Sequence, residues 1–216
     1  MSAILSALVT CGPAYEPIDA VRRITNHSTG ELGTVLCETL VAAGFAVTCL
    51  RGEMATKPGP RNAEVVEFST NSSLQDILDA LPSAPAAIFH AAALCDFEVS
   101  AIEGGGGATQ KISSGTTDLC IRLRPTGKVL TGLRELFPEA VIVGWKYELE
   151  GGRDEALAKA RSQIVHANTN ACVVNGKAYG AGFGLVEPGV DEIPHFPDKI
   201  SLAGFLAGWT LDQLKA

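Results

Sequence analysis

An unbroken apolar run from Ala3 to Cys11 stops at Gly12-Pro13 and gives way to a long polar stretch before a helix begins. A run without alternation is what a strand buried on both faces requires. Such strands belong to parallel sheets covered by helices on either side. The polar stretch carries Glu16, Asp19, Arg22, Arg23, Asn26, His27, Ser28 and Thr29. α/β proteins hold phosphates and reacting groups at such a strand-to-helix junction, where the first N–H groups of the helix lack partners and its dipole favours negative charge.

The pattern then repeats. Ser28-Thr29-Gly30-Glu31 fits a capping box, with Ser28 as cap and Glu31 reaching back. The helix that follows is apolar at Leu32, Val35, Leu36, Leu40 and Val41 and ends near Gly44. Phe45 to Leu50 and Val65 to Phe68 read as strands, with a helix starting at Ser72 or Ser73, and Ala86 to Ala93 as a further buried strand ending at Leu94-Cys95-Asp96-Phe97. Gly104 to Gly107 cannot hold a regular element, which predicts a mobile loop near residues 101–115. Strands follow at Leu119 to Leu123, Val141 to Trp145 and Ala171 to Val174, and helices up to Leu136 and over Asp154 to Ile164. A Gly- and Pro-rich tail from Gly180 precedes a last helix around Leu202 to Leu214. The expected architecture is a Rossmann-like, doubly wound α/β fold: a mostly parallel sheet with helices on both faces, in one domain over residues 1–216.

Composition narrows the function. The chain has 216 residues, 46% of them hydrophobic, enough for one substantial core. A net charge of −7 argues against a nucleic-acid partner. The six cysteines form no CxxC pair, as expected of buried, reduced thiols rather than a disulfide frame or zinc site. The histidines show no ligand spacing. No apolar run is long enough to span a membrane, and the N-terminus lacks a basic leader segment, so a cytoplasmic location is expected.

A dinucleotide fingerprint is missing. Gly12 is separated by a long insertion from Gly30 and Gly33, and the second strand ends at Leu50-Arg51 without the acidic ribose ligand. Arg51 is suited to a 2′-phosphate instead, which keeps an NADP-dependent reductase open as an alternative.

The segment GPAYEPIDAVRRITNHSTG resembles the start of phosphopantothenoylcysteine synthetase, the ligase of coenzyme A biosynthesis. HAAALCDF is similar to that family's alanine-rich strand ending in Ala-Asp-aromatic, and Gln110-Lys111-Ile112-Ser113-Ser114-Gly115 to its lysine loop. Val143 to Leu149 and Ala171 to Asn175 are similar to its later strands, in the same order. The departures are Ala14 for the usual Thr, Leu149 for Thr, and Val174 for Ala. The resemblance implies a stand-alone synthetase without flavin, using Mg²⁺ and CTP or ATP. It activates the carboxylate of 4′-phosphopantothenate as an acyl-nucleotide, releases pyrophosphate, and condenses the acyl group with cysteine. It also implies a homodimer with small-molecule substrates. Ala14 and Leu149 leave a non-catalytic nucleotide-binding relative as another alternative.

The resemblance assigns roles residue by residue. Lys111 neutralises charge at the attacked phosphate, carried by a closing loop. Asn26 holds the acyl intermediate. Arg22 binds the substrate phosphate, with His27 in the site wall. Gly12, Ser28, Thr29 and Gly30 surround the nucleotide, while Ala92 and Ala93 offer backbone groups and room for its base. Asp96 contacts the nucleotide or its metal. Lys159 and Arg161, two apart on a helix and so on different faces, are candidates for the phosphates together with Lys128.

Overall fold

A computed structural model describes residues 4–103, 110–113, 115 and 118–215. The strands are β1 (Ser6–Cys11), β2 (Tyr15–Pro17), β3 (Arg23–Thr25), β4 (Ala46–Gly52), β5 (Glu64–Phe68), β6 (Ala87–His90), β7 (Phe97–Glu103), β8 (Cys120–Pro125), β9 (Val141–Tyr147), β10 (Ala171–Asn175), β11 (Phe183–Val186) and β12 (His195–Phe196). The helices are α1 (Glu31–Ala42), α2 (Asn71–Asp79), α3 (Val129–Leu136), α4 (Arg153–Ala167) and α5 (Lys199–Gln213).

Eight strands form one sheet in the order β12-β11-β10-β9-β6-β1-β4-β5. Pairings from β10 through β5 are parallel; β11 and β12 extend one edge antiparallel. This is the expected Rossmann-like, mostly parallel arrangement. Both faces are covered because successive strand residues feed opposite layers. Ala7, Val9, Phe89, Val143 and Val173 pack under α1 and α5. Leu8, Ile88 and Ile142 pack under α2 and α3, and Cys172 and Val174 under α4. Each fully buried aliphatic side chain contributes about 1.5–3 kcal/mol. The strand order reverses at β1 and β6, so the crevice beyond their C-terminal ends is where this topology places a ligand.

Three sequence expectations change. The polar stretch after β1 folds back as the β2–β3 hairpin, with Tyr15 opposite Thr25. Residues 101–103, expected in a loop, belong to β7, which pairs antiparallel with β8. A register shift between Val99 and Ala101 breaks the apolar alternation that marks a strand. The four glycines from Gly104 to Gly107, with Ser114, lie outside the described residues. The Gly-rich tail contributes β11 and β12 rather than loop alone.

Candidate active site

The sheet's C-terminal edge opens into a cleft of about 760 Å³. One wall is the start of α1. The helix is not capped by Ser28. Gly30 is the cap, in a left-handed conformation (φ 76°) that other residues rarely adopt, and a Cβ on Gly30 or Gly12 would lie 2.9 Å from Ala55 Cβ. The chain therefore turns into the helix one residue before Glu31. Thr29 Oγ1 accepts from the Glu31 N–H at 3.3 Å, and Glu31 pairs with Lys199 at 2.5 Å instead of reaching back. Ser28 is left facing the cleft with Thr29 and Gly30. The side chain of Cys11 fills the seam where a Gly33 Cβ would meet its Sγ at 2.7 Å, which lets α1 sit directly on β1.

The floor is the extension of β6. The N–H groups of Ala91 and Ala93 donate to the carbonyls of Thr10 and Gly12, and Ala92 N–H donates to Thr10 Oγ1. Ala92 and Ala93 thus give the cleft space rather than N–H donors, and the Ala93 carbonyl is itself taken by the Ala14 N–H. Asn26 Nδ2 donates to the Leu94 carbonyl at 2.7 Å, which holds the amide at the cleft. Asn71, at the start of α2, exchanges two hydrogen bonds with the Cys95 backbone and fixes the turn that presents Asp96. His27 and Asp96 line the cleft as well.

The far wall is cationic. Lys128, at the N-cap of α3, lines the cleft together with Lys146 and Lys199. Lys146 pairs with Glu148 at 3.2 Å, and Lys159 with the same carboxylate at 2.5 Å. Burial pushes Glu148 up, but the hydrogen bonds from Lys159 and Lys146 outweigh it and hold the carboxyl below its usual range. Among the described residues Lys128 has no acidic partner within ion-pair distance. Lys159 borders a second cavity of about 230 Å³ that shares Lys128 and Lys146 with the cleft; Arg161 borders neither. The two side chains diverge as their spacing predicts. Trp145 Nε1 is buried in the cleft wall with no partner among the described residues.

Besides Lys159 and Arg161, two expected residues lie outside the cleft. Arg22, expected on the substrate phosphate, pairs with Asp19 at 2.5 Å and also donates to the Ile112 carbonyl. Asp19 accepts from the N–H groups of Val21, Arg22 and Ile112. Burial raises this carboxyl, yet those donors, Ile112 first, and the Arg22 charge bring it down to about 2. Ile112 is thereby pinned, only 3% exposed, while the neighbouring Lys111 is exposed and does not line the cleft. Arg51 is also committed: it donates to the carbonyls of Ala55 and Lys57 and faces Glu67, which leaves the NADP reading without its motivating residue.

The sequence carried weak signals for what was missed. Lys146 lies inside a quoted motif, at the end of a strand. Asn71 is a polar residue at a helix start. Lys199 gave no signal, because only the crossing of α5 over α1 brings it to Glu31.

Residues 3–191 match the DNA/pantothenate metabolism flavoprotein C-terminal domain. The chain belongs to that family. A coenzyme A biosynthesis bifunctional protein CoaBC of Thermococcus kodakarensis is 33% identical to this family member over 180 residues, 81% of this chain and 42% of that protein. A cysteine/cysteine sulfinic acid decarboxylase from an unknown prokaryotic organism is 30% identical over 179 residues, 82% of this chain and 47% of that protein. The chain spans less than half the length of these curated relatives. The DNA/pantothenate metabolism flavoprotein of Streptococcus pneumoniae shares the fold at TM-score 0.85 and 24% identity, covering 97% of this chain and 99% of that one. The Cab2 H337A variant, solved in complex with phosphopantothenate-cysteine, shares it at TM-score 0.75 and 20% identity, covering 98% and 86%.

Proposed function

We propose that this family member is a phosphopantothenate–cysteine ligase. It joins the carboxylate of 4′-phosphopantothenate to a nucleoside triphosphate, CTP or ATP, releases pyrophosphate, and transfers the acyl group to the amine of cysteine. The observation that carries the reading is the convergence of Asn26, Ser28, Thr29, the α1 N-terminus, Asp96 and Lys128 on one cleft at the strand-order reversal. The CoaBC relatives are named for coenzyme A biosynthesis, and the Cab2 variant was solved with phosphopantothenate-cysteine, which supports the reading.

The reaction has two needs. Charge on the nucleotide is met by the open N–H groups of α1 and by Lys128, with Lys111 reaching in from the loop that Asp19 tethers. The acyl intermediate is held by the Asn26 amide, which Leu94 orients. Arg22 serves the substrate phosphate by exchanging Asp19 for it; its side chain is 39% exposed. Lys159 joins the phosphates through the second cavity. Among the described residues no three His, Cys, Asp or Glu side chains cluster around a metal. Asp96 as a lone carboxylate fits Mg²⁺, which is commonly held by one carboxylate and the substrate's phosphates. When bound, the ion supplies charge neutralisation at the attacked phosphorus.

A homodimer fits the β7–β8 arm, where Phe97, Leu119 and Leu123 are 51%, 41% and 45% exposed. The non-catalytic alternative loses part of its support: Ala14 is fully buried in the core under α2, with N–H and carbonyl both bonded, so a hydroxyl there is not what the cleft lacks. Leu149 does line the cleft.

The test is pyrophosphate release with Mg²⁺ and 4′-phosphopantothenate, comparing CTP with ATP, with and without cysteine. Release that requires 4′-phosphopantothenate is expected. Nucleotide binding without release under any of these conditions refutes the ligase.

A further inference from the structure

His90 ends β6 in the cleft floor, beside Thr10 of β1 and Gly144 of β9, and is 7% exposed. Thr10 Oγ1 lies 2.9 Å from His90 Nδ1 and accepts the Ala92 N–H at 3.3 Å. Thr10 is fully buried, so its hydroxyl proton has one acceptor among the described residues: His90 Nδ1. Nδ1 therefore accepts, and a neutral ring carries its proton on Nε2. Across the ring from Thr10, that N–H has no acceptor among the described residues, although the ring borders the cleft. Nε2 is not among the fully enclosed, partnerless side-chain atoms of the described residues, so it opens onto the cleft, where water or a ligand can accept from it.

Burial also draws this histidine down to about 4, so it presents a dipole rather than a charge at neutral pH. The negative groups of a nucleotide have other partners in the cleft, Lys128 and the α1 N-terminus. A neutral, immobilised N–H suits an uncharged acceptor.

We propose that His90 is a specificity residue: its Nε2–H donates to an acceptor on the nucleobase, a pyrimidine carbonyl oxygen or a purine ring nitrogen. This rests on the nucleotide part of the ligase reading and not on turnover. Nothing in the sequence flagged it, since a histidine at the end of an apolar strand reads as core.

The test uses calorimetric titration of the full chain with Mg·CTP, Mg·ATP and Mg·tripolyphosphate, the last having phosphates but no base. His90→Leu weakens the preferred nucleotide about tenfold, the value of one neutral hydrogen bond. His90→Gln, whose amide carries an N–H at a similar reach, stays within about threefold of wild type. Tripolyphosphate binds all forms alike, and KM for the nucleotide rises while kcat holds. The proposal is overturned if His90→Leu binds both nucleotides as wild type does, if His90→Gln is as weak as His90→Leu, or if tripolyphosphate affinity falls in step. Imidazole nitrogen chemical shifts of the unmutated protein give a reading that no variant's folding can spoil. They should show the Nε2–H tautomer, shifted by the preferred nucleotide; the Nδ1–H tautomer overturns the assignment. Binding with no pyrophosphate release fails the ligase reading alone.

Discussion

The cleft floor and the arm beside it are built on opposite plans. The floor, Thr10 to Gly12 against His90 to Ala93, is fastened by backbone hydrogen bonds and by side chains buried on both faces. The stretch around Ile112 hangs from one ion pair, Asp19 and Arg22, and β7–β8 exposes most of its residues. The floor is a fixed surface; the tethered segment carries the exposed Lys111, the cation that the proposed reaction would bring to the phosphates. The proposed acyl activation would use both, a fixed cradle and a cation brought to it.

The comparison can be broken at several points. Lys111→Ala should lower kcat for pyrophosphate release by about 100-fold or more, with the unfolding midpoint unchanged, because the side chain is exposed and bound to nothing in the core. An unchanged rate breaks the mobile half of the contrast. Gly33→Ala should cost about 1–3 kcal/mol in urea unfolding, since the new methyl overlaps Cys11 at the α1–β1 seam. A fully stable variant would show that the floor yields.

Titration separates the two regions. His90 falls from 6.5 to about 4 on burial. As pH drops through that window the unfolded chain takes up a proton that the folded chain refuses, so stability declines, by on the order of 3 kcal/mol. His90→Gln should flatten that limb of an acid-unfolding curve. Asp19 runs the other way, from 3.8 down to about 2. Its contribution is complete above pH 3.8 and is lost as pH falls through 2, so Asp19→Asn should lower stability at all higher pH and flatten only the more acidic limb. At neutral pH the same variant should lower kcat about tenfold by loosening the tether, with KM for CTP or ATP little changed. The smallest effect on folding is Leu123→Asp: less than about 0.5 kcal/mol, together with a shift from dimer to monomer in sedimentation.

Legibility followed the same division. The unalternating strands β1, β6, β9 and β10 announced the sheet, because burial on both faces leaves no polar position to disguise them. The β2–β3 hairpin was invisible: its strands are three residues long, and Asp19 and Thr25 hold it by side-chain bonds that propensity does not encode. Ser28 looked like a cap because the local pattern is right, but the left-handed turn at Gly30 against Ala55 decided the helix start. Within the cleft, Asn26 and Asp96 were legible from motifs. Lys146 and Lys199 were not, since a lysine declares its role only through what a distant element sets beside it.

The ion pair between Glu31 and Lys199 spans 168 residues of sequence. Helix α1 packs on β1 and β4 and also against α5, so this last contact waits until almost every other element has been translated. The wall that Glu31 and Lys199 share is therefore complete only when the late part of the chain docks on the early part.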